Sequence, residues 1–306
     1  MEFFHETHLD FIGKRRIAFI MSLTVIVLAI ASLALRGLNY GIDFTGGTLI
    51  EIAYNEPIQL DQVRAKLATA GFADAVVQNF GTPQDALVRI PPRGDETSAA
   101  ISNRVLRALP GAEMRRVEFV GPQVGDELTE QGGLAMLYAL IGILIYVAVR
   151  FERRFALGAV AALIHDVIIT LGVLSIVGMN FDLPVVAALL AVIGYSLNDT
   201  IVVFDRIREN FRKMRREDAA QIMNVSINQT LSRTIITGLT TLVVLFALFA
   251  LGGELMQPFA ATLIIGILVG TYSSVYVASA LSLVLGVSRQ DLMPIPKEGA
   301  DADNRP

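Results

Sequence analysis

The sequence predicts a polytopic α-helical membrane protein, with six transmembrane helices and a small α+β domain between helices 1 and 2. Three observations carry this reading. The 306 residues are 53% hydrophobic and only 18% charged, where a soluble domain carries about 25% charged residues. The apolar residues gather in long runs, each of a length that crosses a bilayer. The segment between the first two runs has the alternating pattern of a folded sheet-and-helix unit.

The runs predict spans at roughly Ile17–Leu35, Leu134–Val149, Leu157–Val177, Val185–Phe204, Thr234–Leu251 and Phe259–Leu285. The second is short and extends through Gln131–Gly133; the last is long enough to tilt or to include an interfacial turn. Lys14, Arg15 and Arg16 precede the first span, and Arg150, Arg153 and Arg154 separate the second from the third. Arg206, Arg208, Arg212, Lys213, Arg215 and Arg216 separate the fourth from the fifth. The short loops Gly178–Pro184 and Gly252–Pro258 hold no Lys or Arg. The positive-inside rule then places both termini in the cytoplasm and the segment after span one outside. The first span is longer than a signal-peptide apolar core, so it reads as a retained anchor. The parts are a cytoplasmic N-terminus at 1–16, span one at 17–35 and an outer domain at 36–130. Spans two to six occupy 131–286, and a polar, acidic tail follows at 287–306, with the composition of a disordered segment.

Within the outer domain, Gly47–Ala53 is a β-rich apolar run. Leu60–Ala70 sets Leu60, Val63 and Leu67 on one helical face, stopped by Gly71. Ala75–Phe80 and Ala86–Ile90 read as strands joined by a turn at Gly81–Asp85. Thr97–Leu109 repeats the helical spacing through Ile101, Val105 and Leu109, and Arg115–Val120 closes the series. The order β-α-β-β-α-β is the ferredoxin-like pattern, with two helices over one face of a four-stranded sheet. Such a unit is a spacer or a docking surface; it contains no His and no clustered acids to suggest catalysis.

The cluster Gly41-Ile42-Asp43-Phe44-Thr45-Gly46-Gly47-Thr48 follows span one. It lacks the Lys and the spacing of a phosphate-binding loop. Gly41, Asp43, Gly46 and Gly47 read instead as a turn, or hinge, at the outer surface. A second hinge is expected near Gly121–Gly133.

The intramembrane polar residues carry the function. Asp199 lies in the otherwise apolar run Val185–Phe204, roughly 9 Å from its cytoplasmic boundary at 1.5 Å per residue. A carboxylate there is costly and faces a bundle interior or a water-filled path. Asn198 adjoins it and Tyr195 lies one turn earlier. Arg233 and Thr237, one helical turn apart, open the next apolar segment. Arg233 stays protonated, so it can modulate a proton site without itself exchanging the proton. Moving Arg233 relative to Asp199 would change the carboxylate's proton affinity. The plainer alternatives are an Asp199–Arg233 pair that locks two helices, and a Thr237 hydroxyl bonded to its own helix backbone. His165 and Asp166 form a second polar pair, with either a proton role or a structural one in hydrogen bonds to neighbouring spans. The charged stretch Asp205–Asp218 reads as a helical cytoplasmic anchor for anionic lipid headgroups.

Cysteine is absent and only His5, His8 and His165 occur. Disulfides, thiol nucleophiles and a multi-histidine metal centre are therefore not expected, nor is a cofactor other than the coupling ion H+.

These motifs resemble the SecD/SecF family of bacterial preprotein-export subunits, in its SecF-like branch. The carriers are GIDFTGGT at 41–48, IHD at 164–166, VIGYSLNDTIVVFDRIREN at 192–210 and NQTLSRT at 228–234. The resemblance runs over essentially the full length to about residue 290. It implies membership of the resistance-nodulation-division superfamily and a SecD-like partner. It also implies use of the proton-motive force in late preprotein translocation from the SecYEG channel, with YajC and YidC as associates. It matches Asp199, Arg233 and Thr237 to the family's fourth- and fifth-span polar residues, and gives the outer domain a role beside the emerging chain. No catalytic residue, metal ligand or nucleic-acid partner is implied.

The same residues would serve a proton-coupled exporter of lipids or small molecules. An intramembrane aspartyl protease would need Asp166 and Asp199 to share a proton; the setting Tyr-Ser-Leu-Asn-Asp is not the Gly-x-Gly-Asp of such enzymes. A structural scaffold would use Asp199 for assembly alone.

Overall fold

The computed structural model describes residues 7–94, 96–214, 216–253 and 255–288. Helix α1 (Arg15–Arg36) leads through a two-residue strand β1 (Asn39–Tyr40) and a single helical turn α2 (Ile42–Thr45) into the outer domain. That domain contains β2 (Gly47–Ala53), α3 (Leu60–Thr69), β3 (Val76–Phe80), β4 (Thr82–Ile90), α4 (Ser98–Ala108) and β5 (Glu113–Val120). The membrane helices resume with α5 (Pro122–Arg150) and α6 (Arg153–Val177), then the two-residue strand β6 (Asn180–Phe181), α7 (Leu183–Lys213) and α8 (Ala219–Leu251). The last span joins α9 (Gln257–Ser273), a π-helical turn (Ser274–Ala278) and α10 (Ser279–Val284).

In the domain, strand order β3-β4-β2-β5, antiparallel throughout, is the ferredoxin-like arrangement that the pattern predicts. Alternation along β2 sends Ile50 and Ile52 to one face, where α3 supplies Val63 and Leu67 and α4 supplies Ile101 and Val105. Side chains one strand-step apart point to opposite faces, so Leu49 and Glu51 of β2 turn to the other side. That open face, with Phe80 and Leu87, looks onto the loop between α8 and α9. Helix α4 begins with Thr97 accepting from the Ala100 N–H at 3.3 Å. The expected turn at Gly81–Asp85 is tighter than the composition suggests. Gly81 adopts φ +71 and β4 already starts at Thr82, so four of the expected turn residues belong to a strand.

Among the described residues, six helices are long and apolar enough to cross a membrane, which returns the chain to the side from which it starts. Most are longer than their apolar runs, because polar residues continue them beyond the bilayer. Thus α7 carries the charged stretch as helix through Lys213, and α8 starts at Ala219, capped by Asp218 accepting from Gln221 N–H at 2.7 Å. Gly132 and Gly133 lie inside α5, so of the second expected hinge only Gly121 precedes the helix. The tail 289–306 lies outside the described residues.

Helices α6, α7 and α9 form the interior, and α1 packs on α6. Small residues set these approaches, as in membrane bundles generally. A Cβ at Gly172 of α6 would lie 2.2 Å from Ala29 Cβ of α1, and one at Gly266 of α9 would lie 2.1 Å from Val192 Cγ2 of α7. Few residues in the apolar stretches of α1, α5 and α8 are buried, which leaves these helices as lipid-facing or partner-facing surfaces. At the cytoplasmic end, Arg150 pairs with Asp205 at 2.7 Å and Arg208 with Glu152 at 3.0 Å, around a cluster of Phe151, Phe155 and Phe204.

Candidate functional site

Two polar centres lie within the spans, and one junction fastens the outer domain to them. The first centre is Asp199. It is 3% exposed on the interior face of α7, and its Oδ2 atom has no hydrogen-bond partner. Tyr195, one turn towards the outside, also has an unpartnered buried hydroxyl. That hydroxyl faces a gap at Gly238 of α8, where a Cβ would sit 3.9 Å from it and 3.8 Å from Thr271 Oγ1 of α9. Buried polar atoms are normally paired, so orphaned oxygens on one face of α7 mark a site with unmet hydrogen-bonding capacity. Arg233 of α8 is near enough for its charge to act on Asp199, yet the two form no ion pair and Arg233 is exposed. The lock between two helices that a tight pair would provide is therefore not present in this conformation. Thr237 is exposed, and its hydroxyl donates to the carbonyls of Arg233 at 2.9 Å and Thr234 at 3.1 Å. Asn198 is exposed and turns away from the interior.

The second centre is built on His165 and Asp166 of α6, which are 3% and 1% exposed. Asp166 Oδ1 meets His165 Nδ1 at 2.9 Å, and Oδ2 accepts from Ser196 of α7 at 2.5 Å and Ser273 of α9 at 2.7 Å. His165 Nε2 meets Ser22 Oγ of α1 at 3.3 Å, and Ser22 meets the Tyr272 hydroxyl at 2.9 Å. One network thus ties α1, α6, α7 and α9 together. The adjacent His and Asp side chains meet directly. Ser22, Ser196, Ser273 and Tyr272 escape a sequence reading because isolated hydroxyls in apolar runs usually bond their own helix. The signal available was Asp166 itself, since a buried carboxylate requires donors.

Asp166 and Asp199 do not share a proton. Both oxygens of Asp166 are engaged elsewhere, and Asp199 Oδ2 is unpartnered. The dyad of an aspartyl protease is not assembled. Among the described residues no group of three or more His, Cys, Asp or Glu side chains could hold a metal ion.

The junction lies at the outer surface, where the glycine cluster meets the α6–α7 connection. Strand β1 pairs in parallel with β6, Asn39 opposite Asn180 and Tyr40 opposite Phe181. Gly41 N–H donates to Phe181 O at 2.7 Å. A Cβ at Gly41 would lie 3.2 Å from Asp182 Cβ, so a larger residue would crowd the contact. Asp43 Oδ2 accepts from the backbone N–H of Leu183, the first residue of α7, at 3.0 Å. Asp182 Oδ1 accepts from Val185 N–H at 3.1 Å. Two carboxylates from different segments thus serve the unpaired N–H groups at one helix start. Gly47, at φ +114, passes so close to Ile90 that a Cβ would lie 2.3 Å from its carbonyl oxygen. A cavity of about 250 Å³ opens beside this junction, lined by Asp43, Asp182, Glu118, Arg89, Gln78 and Asn180 among others. Burial pushes the Asp182 carboxyl up to about 6; the Val185 N–H opposes this, and the charges of Asp43 and Glu118 add to it.

Comparison with known proteins matches residues 101–288 to the family described as protein export membrane protein SecD/SecF, C-terminal, and residues 31–58 to the SecD/SecF GG motif. The chain is 54% identical to the protein translocase subunit SecF of Vibrio alginolyticus over 98% of both chains. It is 49% identical to that of Pseudomonas aeruginosa over 97% of this chain and 98% of the relative. The crystal structure of SecDF, a translocon-associated membrane protein from Thermus thermophilus, superposes with a TM-score of 0.84 at 40% identity. The match covers 92% of this chain and 39% of the longer SecDF chain. A solved SecDF in a super-membrane-facing form matches with the same identity and coverage but a TM-score of 0.69. The matched segment therefore takes different arrangements in the two solved structures, and this chain is closer to the first.

Proposed function

The chain belongs to the SecD/SecF family of protein export membrane proteins, and we propose that it works as a SecF-type subunit that converts proton movement at Asp199 into motion of its outer domain. With a SecD-like partner it uses the proton-motive force to promote late translocation of preproteins from the SecYEG channel in the bacterial inner membrane. YajC and YidC are its further associates.

The observation that carries this reading is the dual occupation of α7. Near its middle is Asp199, buried with an unpartnered oxygen. At its outer end Asp43, from the outer domain's leading segment, holds the first N–H. From Asp182 to Asp199 the helix spans about 25 Å at 1.5 Å per residue. A rigid rod gripped at one end and bearing a titratable group further down transmits axial shifts or rotations from one to the other. Arg233, close but unpaired, is placed to modulate the proton affinity of Asp199 if α7 and α8 move relative to one another. One charge crossing the membrane field supplies about 2.3 kcal/mol per 100 mV, enough to bias two orientations of a small domain. Thr237 would join the path in a state where its hydroxyl leaves the helix backbone.

The test is preprotein translocation into inverted membrane vesicles with and without an imposed proton gradient. Asp199→Asn and Arg233→Met should remove the gradient-dependent stimulation, while both variants still co-purify with the SecD-like partner. Full stimulation in the Asp199→Asn variant would refute the proposal. Loss of co-purification would instead make Asp199 an assembly residue.

A further inference from the structure

The hydrogen-bond polarity of the α6 network fixes where its protons lie. The Tyr272 hydroxyl meets the Ala18 carbonyl at 2.9 Å. A carbonyl only accepts, so Tyr272 donates its single proton there. Tyr272 can then only accept from Ser22 across their 2.9 Å contact. Ser22 has spent its own proton and must accept from His165, so Nε2 carries a hydrogen. This polarity satisfies every contact in the chain at once.

The consequence falls on the other side of the ring. With Nε2 protonated, a neutral His165 presents a bare Nδ1 lone pair to Asp166 Oδ1 at 2.9 Å. Against an ionised carboxylate, that would set two acceptors face to face with no hydrogen between them. Asp166 Oδ2 already accepts from Ser196 and Ser273, so the missing hydrogen belongs between Nδ1 and Oδ1. We propose that His165 and Asp166 together form an intramembrane proton-holding site, separate from Asp199, with one proton shared between Nδ1 and Oδ1. In one form an imidazolium faces a carboxylate. In the other the Nδ1–H bond breaks as the Oδ1–H bond forms, leaving a neutral imidazole against a carboxylic acid. No other reactant takes part. The groups facing the pair are Ser22 of α1, Ser196 of α7, and Tyr272 and Ser273 of α9, with the Tyr276 ring tilted against Tyr272 at 5.2 Å between centroids; none brings a second charge. Loss of the shared proton would set two acceptors against each other at the Nδ1–Oδ1 contact, in a pair whose other bonds reach α1, α7 and α9. The polarity of these bonds does not depend on Asp199, so the pair holds its proton whatever the role of that residue.

The experiment is nitrogen and carboxyl-carbon NMR of isotope-labelled protein in bilayers at pH 7, with His5 and His8 replaced by Gln so that the imidazole signal is that of His165. The expected spectrum shows Nε2 protonated, together with either a protonated Nδ1 and an ionised Asp166, or a bare Nδ1 and a carboxylic acid. Asp166→Asn supplies an amide N–H where the shared proton lies, and should show neutral, Nε2-protonated His165. Asp199→Asn should leave the signature of the native pair unchanged. A bare Nε2, or a protonated Nε2 with bare Nδ1 and ionised Asp166, overturns the proposal.

Discussion

Asp182 makes the stability of the outer junction depend on acidity, in a direction opposite to that of an ordinary paired carboxylate. Its carboxyl titrates near 6 in the folded protein, against 3.8 for an unperturbed group. Between these values the folded state keeps a proton that the unfolded state has released. Stability therefore falls as the pH rises from about 4 to about 6, and the loss is complete above the folded value. A displacement of about two units corresponds to at most about 3 kcal/mol at 1.36 kcal/mol per unit. The group is only half-buried, and solvent screening reduces this to about 1–2 kcal/mol. Asp182→Asn keeps an oxygen acceptor for Val185 N–H and removes the charge. It should raise the apparent unfolding temperature at pH 7.5 by about 2–4 °C and leave it unchanged at pH 4, where native Asp182 is already neutral. The assay is thermal unfolding in nanodiscs at the two pH values, comparing native protein with the variant. An equal shift at both pH values, or destabilisation at pH 7.5, would refute the account.

Gly172→Ala should separate α1 from α6, because the added Cβ would lie 2.2 Å from Ala29 Cβ and 2.6 Å from its Cα. Overpacking of this kind costs about 1–3 kcal/mol, read as a lower unfolding temperature and as faster proteolysis of the segment preceding α1. Asn224→Ala should release that segment from α8. Asn224 Oδ1 accepts from Phe11 N–H at 2.8 Å and Ile12 N–H at 3.2 Å, and its Nδ2 donates to Leu9 O at 3.0 Å. Amide hydrogen exchange at residues 11 and 12 should rise, with unchanged exchange there counting against the contact.

What could be read from the sequence followed the strength of the local signal. Six spans emerge because bilayer thickness demands a long apolar run, and Gly178 visibly stops one of them by adopting a left-handed φ of +71. The β-α-β-β-α-β order emerges because Val63, Leu67, Ile101 and Val105 keep helical spacing between alternating strands. The pairing of β1 with β6 left no trace. Each strand has two residues, and its partner is about 140 positions away. The relative rotation of α7 and α8 was equally hidden. Spacing puts Arg233 one turn from Thr237 but says nothing of whether either meets Asp199 across a helix boundary. Asp43 was legible as part of a glycine-rich turn; its grip on α7 was not, because a cap shared between distant segments has no local pattern.

The π-helical turn at Ser274–Ala278 divides the last span into two parts with independent angular settings. Ser279 Oγ donates five residues back to Ser274 O at 2.9 Å, which serves a carbonyl displaced by the wider turn. One residue corresponds to about 100° of helix rotation. Deleting a single residue within the turn, and so restoring a regular helix, would leave Tyr272 and Ser273 in place while swinging Ser282 away from its close seat against Gly158. The extra residue therefore works as a phase adjuster, letting one continuous span meet two differently oriented surfaces of α6.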